Sequence, residues 1–153
     1  MLAYVVCVAL HIAAAAAWVG GMLFFAVVAV PALRRPEVAG ARPALLAALG
    51  PRFRAYGWLA VATLVVTGLL NLRFRGIGWA LLADRRFWAT GFGHTLSIKL
   101  AFVATALLGS GLHELAARRG HAGRLAAWTG RLVFLASLAV VFLAVALVRG
   151  YWF

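Results

Sequence analysis

The sequence predicts an all-α fold, an integral membrane four-helix bundle. Hydrophobic residues make up 66% of the 153 residues, and the mean hydropathy is +1.01, far above that of an ordinary soluble domain. Four segments carry almost no charge: 2–33, 55–72, 87–112 and 132–148. Each is close to or above the ~20 apolar residues that a helix needs to cross a ~30 Å hydrocarbon core. The apolar runs are continuous and do not alternate, which excludes a membrane β-barrel.

We expect one domain, 1–153, with helices at about 3–31, 52–73, 91–117 and 125–149. The first helix lacks a basic segment ahead of it and is too long for the core of a cleaved signal peptide. A short amphipathic piece, ALLAALG, is expected before the second helix. The segment WALLADRRFW, with tryptophans at both ends, is expected to form an interfacial helix between the second and third.

The net charge of +12 reflects membrane topology, and we expect no nucleic-acid partner. Nearly all the arginines lie in the loops, where they contact lipid headgroups of the bilayer and set the orientation of the helices. Nine fall between helices 1 and 2 or between helices 3 and 4, and five fall on the other side. The positive-inside rule therefore predicts a multi-pass protein of the plasma (inner) membrane with both termini outside.

His11 is an ionisable residue inside the first apolar segment, where such residues usually serve a function. At about 100° per residue, Cys7, His11 and Trp18 fall on one stripe of the helix. Ala14 and Ala15 lie one turn from His11 on the same side. A large planar ligand bound through an imidazole needs small neighbours, so this pattern predicts a haem site. The alternative is a neutral histidine bonded across helices, with the alanines serving close helix packing.

The third helix carries two more polar residues, His94 and Lys99. His11 and Lys99 are expected at a depth of ~12 Å, and His94 a few ångströms deep on the same side. We therefore expect His11 and His94 to be the axial ligands of a b-type haem. No carboxylate is expected at the depth of Lys99, the only lysine, so a haem propionate is its predicted partner. Arginines at the outer surface are available for the second propionate; these are Arg73, Arg75, Arg85 and Arg86. Lys99 alternatively lines a polar cavity or snorkels outward.

A second haem or another metal is a further hypothesis, with His113 and His121 as its ligands. His113 is expected ~20 Å or more from His11 along the membrane normal, too far for one shared metal. The alternative is that both histidines contact headgroups or cap a helix end. Copper competes with haem for the outer site, because Cys7 and His11 are one turn apart and Met22 follows on the stripe. Sulfur and imidazole are favoured ligands of Cu(I).

The order of several short motifs resembles the CopD-like (copper resistance D) membrane proteins, which are similar to HemJ-type protoporphyrinogen oxidases. The motifs are LHIAAAAAWVGGMLFF followed by VPAL, then PRFRAYGW, VTGLLNLRFRG, LSIKLAFV and LHE. The resemblance covers most of the chain and implies a four-helix membrane bundle. It matches His11, Lys99 and His113 to residues of the family pattern, and the HemJ relatives imply haem b. The segment VPALRRPE is shorter than the polar signature that follows the first helix in HemJ-like sequences.

Four functional hypotheses follow. The first is a b-type haem protein, with one haem or two, that exchanges electrons with quinone or a small oxidant, as a membrane oxidoreductase would. The second is a copper-ion transport or resistance protein. The third is an enzyme that oxidises a tetrapyrrole, and the fourth is a membrane scaffold without a cofactor. The sequence leaves homo-oligomerisation open.

Overall fold

The structure, a computed structural model, describes residues 1–118 and 124–150, with side chains described for 1–115 and 128–150. Across this part of the chain every regular element is helical, without a strand. Within the described residues, four helical spans are long and apolar enough to cross a membrane: Leu2–Leu33, Arg42–Phe74, Gly91–Leu115 and Trp128–Arg149. The predicted all-α class with four membrane-length helices is thus confirmed, and the protein is a multi-pass membrane protein associated with the lipid bilayer.

The chain divides into two compact units, Met1–Gly78 and Trp79–Phe153. The first span begins with helix α1 (Leu2–Phe24), passes through a π-helical turn at Phe25–Ala29, and ends with α2 (Val30–Leu33). The wider turn comes directly before Pro31, whose ring supplies no N–H to the helical ladder. The wider turn thus accommodates the proline, and the span remains helical through Leu33. The observed span begins one residue earlier and ends two residues later than the predicted 3–31.

Helix α3 (Arg42–Phe74) is longer than predicted. The segment ALLAALG was expected as a short amphipathic piece before a helix starting at about residue 52. Instead the helix begins at Arg42, with Pro43 in its first turn, and Pro51 lies inside it. A proline in a helix removes one hydrogen bond, and the alanines and leucines before it are strong helix formers. One lost bond therefore does not end the helix.

Helices α1 and α3 pack as an antiparallel pair. The rings of Tyr4 and Phe74 lie 5.6 Å apart between centroids at one end. Near the other end, the rings of Phe25 and Phe53 lie 4.2 Å apart. Between them, a Cβ added to Gly57 would lie 3.1 Å from the Trp18 ring. The absent side chain of Gly57 thus admits the indole.

The second unit begins with two short helices, α4 (Trp79–Ala83) and α5 (Arg85–Trp88). They occupy the predicted interfacial segment and are separated by Asp84, whose carboxylate accepts a 2.9 Å hydrogen bond from the Arg86 N–H and caps α5. The Trp88 indole N–H donates to the Leu82 carbonyl at 2.9 Å and holds the two helices together. A Cβ at Gly93 would overlap the backbone of Phe87, so the corner into the next helix requires glycine.

Helices α6 (Gly91–Arg118) and α7 (Arg124–Arg149) form the second antiparallel pair. Their bounds match the predicted 91–117 and 125–149 within one residue at each end. His113 lies beside Thr129, and Gly109 lies against Val133 four residues further along α7. The contact is close, because a Cβ on Gly109 would lie 2.7 Å from a Val133 methyl carbon. That the chain forms one domain stays a prediction.

Candidate functional site

The contact face between α1 and α3 carries the candidate site. Residues on each helix recur at alternating steps of three and four, the spacing that keeps side chains on one stripe of a helix. On α1 they are Cys7, His11, Ala14, Trp18 and Gly21. On α3 they are Gly57, Ala60, Leu64, Thr67 and Asn71. Cys7, Ala14, Gly57, Ala60 and Thr67 are buried. The stripe of Cys7, His11 and Trp18 expected from the sequence therefore faces α3.

His11 is held by Thr67. The Nδ1 atom of the imidazole lies 2.7 Å from the Thr67 hydroxyl oxygen. That hydroxyl lies 2.6 Å from the backbone carbonyl oxygen of Thr63, one turn earlier on α3. Thr67 is only 4% exposed, so water does not compete strongly for these groups. An imidazole, a hydroxyl and a carbonyl thus form a short chain of polar atoms inside an apolar helix pair.

Cys7 joins the same group from the next turn of α1. Its thiol donates to the backbone carbonyl of Thr67 at 3.5 Å, a normal distance for a sulfur donor. On the other side, a Cβ added to Gly68 would lie 3.5 Å from Cε1 of His11. A glycine therefore flanks the ring edge between the two nitrogens, where a larger residue would cover it.

Asn71 extends this polar layer by one more turn of α3. Its Oδ1 atom is buried and has no hydrogen-bond partner within the described part of the chain. A buried carbonyl oxygen without a partner is uncommon and destabilising. Thr63, Thr67 and Asn71 recur at intervals of four in an otherwise apolar segment. This interval is a signal in the sequence from which the polar layer is predictable.

Ala14 is buried on the stripe that faces α3, while Ala15 is half-buried on the neighbouring face of α1. Burial of Ala14 accords with the helix-packing alternative for this residue. The position of Ala15 does not distinguish packing from ligand contact. The haem-facing role of both alanines, and of the half-buried Trp18, stays a prediction.

Two of the predicted residues on α6 do not share a face. His94 and Lys99 are five positions apart, which places them about 140° apart around the helix. Lys99 is half-buried and His94 is exposed. Lys99 instead shares a stripe with Ala106 and His113, at steps of seven. His11 belongs to the unit Met1–Gly78 and His94 to the unit Trp79–Phe153, so their pairing as axial ligands stays a prediction.

His113 contacts α7. Its Nδ1 atom lies 3.2 Å from the Thr129 hydroxyl oxygen, and Gly130 leaves room beside the ring. His121, its predicted partner, lies outside the described residues. Among the described residues, no group of three or more histidine, cysteine or acidic side chains is arranged to hold a metal ion.

Arg73 and Arg75 lie at the end of α3 and are exposed. They follow Thr67 by six and eight residues, which is ~9 and ~12 Å along a helix axis. Arg73 is also near Gly78, where an added Cβ would lie 3.2 Å from a guanidinium nitrogen. In this unit two cations thus stand at the helix end, between one and a half and two and a half turns from the His11 site.

Comparisons with known proteins place the chain in a family without assigning it an activity. No family model matches the sequence. No solved structure matches it either. A protein of Aquifex aeolicus (strain VF5), described as an uncharacterized protein, is 33% identical over 149 residues, covering 93% of this chain and 93% of the relative. The chain belongs to the same protein family as this Aquifex protein.

Proposed function

We propose that this protein is a b-type haem membrane protein of CopD-like type that transfers electrons, with His11 as an axial ligand of the iron. The observation that carries the proposal is the hydrogen bond of 2.7 Å between Nδ1 of His11 and Thr67 inside a membrane-length helix pair. With Nδ1 bonded to Thr67, Nε2 is the ring nitrogen that would bind the iron in this proposal. Metal-binding histidines are commonly held in this way, through a hydrogen bond from the second ring nitrogen.

The residues around His11 suit a haem. The macrocycle brings its own four nitrogen ligands, so the protein has to supply only one or two axial ligands. His11 would supply one, and Gly68 has no side chain to cover the ring edge that it flanks. The CopD-like and HemJ-type resemblance of LHIAAAAAWVGGMLFF supports the same assignment.

Other residues complete the proposed site. His94 would be the second ligand of the iron. Lys99 would pair with one propionate, and Arg73 and Arg75 with the other. Ala14 and Ala15 would provide room for the macrocycle next to Trp18. His113 would be a ligand of a second haem. Arginine and lysine bind carboxylates well when water is partly excluded.

A bound haem supplies one-electron chemistry, for which quinone or a small oxidant is the proposed partner, so that the protein acts as an oxidoreductase. The arginine distribution supports a location in the plasma (inner) membrane with both termini outside. A homo-oligomer is compatible with this proposal and is not required by it.

The test is the absorption spectrum of the full-length protein purified in detergent, with and without added haemin. We expect a sharp Soret band and resolved visible bands on reduction in the wild type, and their loss in His11→Ala. The matched control is Leu10→Ala, which changes the neighbouring, exposed side chain and should keep the spectrum. His94→Ala should convert a low-spin spectrum to high-spin. A colourless wild type that takes up no haemin would refute the proposal.

Copper handling is the second candidate function, and one observation favours it. Cys7 and His11 are one turn apart, and both make hydrogen bonds with Thr67, so a thiol and an imidazole lie near the same residue. Cu(I) favours this pair of ligands. A competition titration with a coloured Cu(I) chelator distinguishes the candidates. Tight Cu(I) binding that Cys7→Ser weakens, in a protein that takes up no haem, would favour copper.

A further inference from the structure

We infer that Thr67 is a positioning residue that holds neutral His11 in its Nδ1–H tautomer and thereby makes Nε2 the metal-binding nitrogen. The position of a ring proton on Nδ1 follows from the two hydrogen bonds of the Thr67 hydroxyl. The consequence for an iron ligand rests on the proposed function.

The first step is the contact between Thr67 and Thr63. The Thr67 hydroxyl oxygen and the Thr63 carbonyl oxygen are 2.6 Å apart. Two oxygens at this distance repel each other unless a proton lies between them. A carbonyl has no proton to give, so the Thr67 hydroxyl donates to Thr63. The Leu64 carbonyl, at 3.5 Å, is at the outer limit for the same proton.

The second step concerns the imidazole. A threonine hydroxyl has a single proton, and in Thr67 this proton is directed to Thr63. The distance of 2.7 Å between Nδ1 of His11 and the Thr67 oxygen also requires a proton. It must come from the ring, so His11 donates through Nδ1–H and Thr67 accepts. A neutral imidazole has one N–H, and Nε2 therefore carries the lone pair that a metal can bind.

The third step is the effect on the ligand. The hydrogen bonds from His11 to Thr67 and from Thr67 to Thr63 run in one direction and polarise each other. An imidazole that donates from Nδ1 to a good acceptor becomes a stronger electron donor at Nε2. Thr67 thus fixes the orientation of the ring and raises its affinity for a metal, without itself touching the metal.

The test compares Thr67→Val, Thr67→Ser and Thr63→Val by ¹⁵N NMR of ring-labelled histidine in the full-length protein purified without added haemin. His11→Ala identifies the His11 signals among those of the four histidines. Thr67→Val removes the acceptor and should convert the pure Nδ1–H tautomer to a mixture with Nε2–H. Thr67→Ser keeps a hydroxyl and should retain the wild-type signals. Thr63→Val is the matched control, since Thr63 accepts the hydrogen bond from Thr67 through its backbone carbonyl, which valine retains.

A second measurement addresses the haem. Removal of such a supporting group typically weakens metal binding 10–100-fold. We therefore expect Thr67→Val to lower haemin affinity by roughly this factor and to raise the midpoint potential, with Thr67→Ser restoring both. Wild-type ring signals in Thr67→Val, or an equal change in Thr63→Val, would overturn the inference. A protein that shows the expected tautomer change but takes up no haemin in wild-type form would refute the proposed function and leave the tautomer assignment standing.

Discussion

Gly109 offers a sharp test of how α6 and α7 pack. A Cβ at this position would lie 2.7 Å from a methyl carbon of Val133, well inside normal carbon–carbon contact. Valine in a helix strongly prefers one χ1 rotamer, and Val133 is 5% exposed, so the methyl has little freedom to move aside. Gly109→Ala should therefore overpack the contact between the helices, which typically costs about 1–3 kcal/mol.

Gly111, two residues further along α6, provides the matched control. It is exposed, and a Cβ there would meet nothing within 4 Å. Gly111→Ala should gain the ~0.5–1 kcal/mol by which alanine exceeds glycine within a helix. The same gain applies at Gly109, so the difference in unfolding free energy between the two variants isolates the overlap. We expect a difference of about 2 kcal/mol, with Gly109→Ala the less stable.

The assay is thermal unfolding of the full-length variants in one detergent, followed by circular dichroism at 222 nm. For a chain of this size, ~2 kcal/mol corresponds to roughly 4–8 °C in Tm. Val133→Ala removes the opposing methyl groups. The loss of unfolding free energy in the double variant Gly109→Ala, Val133→Ala should therefore be ~1 kcal/mol smaller than the sum of the losses in the two single variants. Equal Tm values for Gly109→Ala and Gly111→Ala would refute the packing argument.

Three further predictions concern the proposed haem site and topology. If Lys99 pairs with a propionate, Lys99→Met should keep a low-spin spectrum and lower the midpoint potential by several tens of millivolts in a redox titration. The reason is that a cation ~8 Å from the iron would contribute roughly 2 kcal/mol at an effective dielectric near 20. An unchanged potential would contradict this pairing. Ala15→Leu, which alters the half-buried face of α1, should block haem uptake without changing Tm. Ala14→Leu should block haem uptake and also lower Tm, because Ala14 is buried. Full haem occupancy in both variants would show that the two alanines do not line the haem site. A reporter enzyme fused after Phe153 should be located outside the cytoplasm. A reporter located in the cytoplasm would contradict the predicted topology.

Hydropathy alone was sufficient to predict four membrane-length helices, because the solvent of a bilayer core requires long apolar segments with all backbone groups bonded internally. The predicted bounds of α6 and α7 agree with the observed ones within one residue at each end. The start of α3 did not follow, because a proline weakens a helix without necessarily ending it. The alanines and leucines before Pro51 favour a continuous helix, and the hydrogen bond lost at the proline opposes it. The local sequence does not decide which effect is larger.

Within the candidate site, the sequence determined that His11 is unusual, because an imidazole in an apolar segment needs a partner. It did not separate His94 from Lys99, which lie about 140° apart around α6 although both were predicted at one haem. Only the tertiary structure decided which residue holds His11. Thr67 is 56 positions away in sequence, and the two meet because the antiparallel packing of α1 on α3 brings their turns to the same level. Such a register depends on how aromatic side chains pack against glycines along the whole pair, as Trp18 does at Gly57. It is therefore a property of the two helix surfaces together and not of either segment alone.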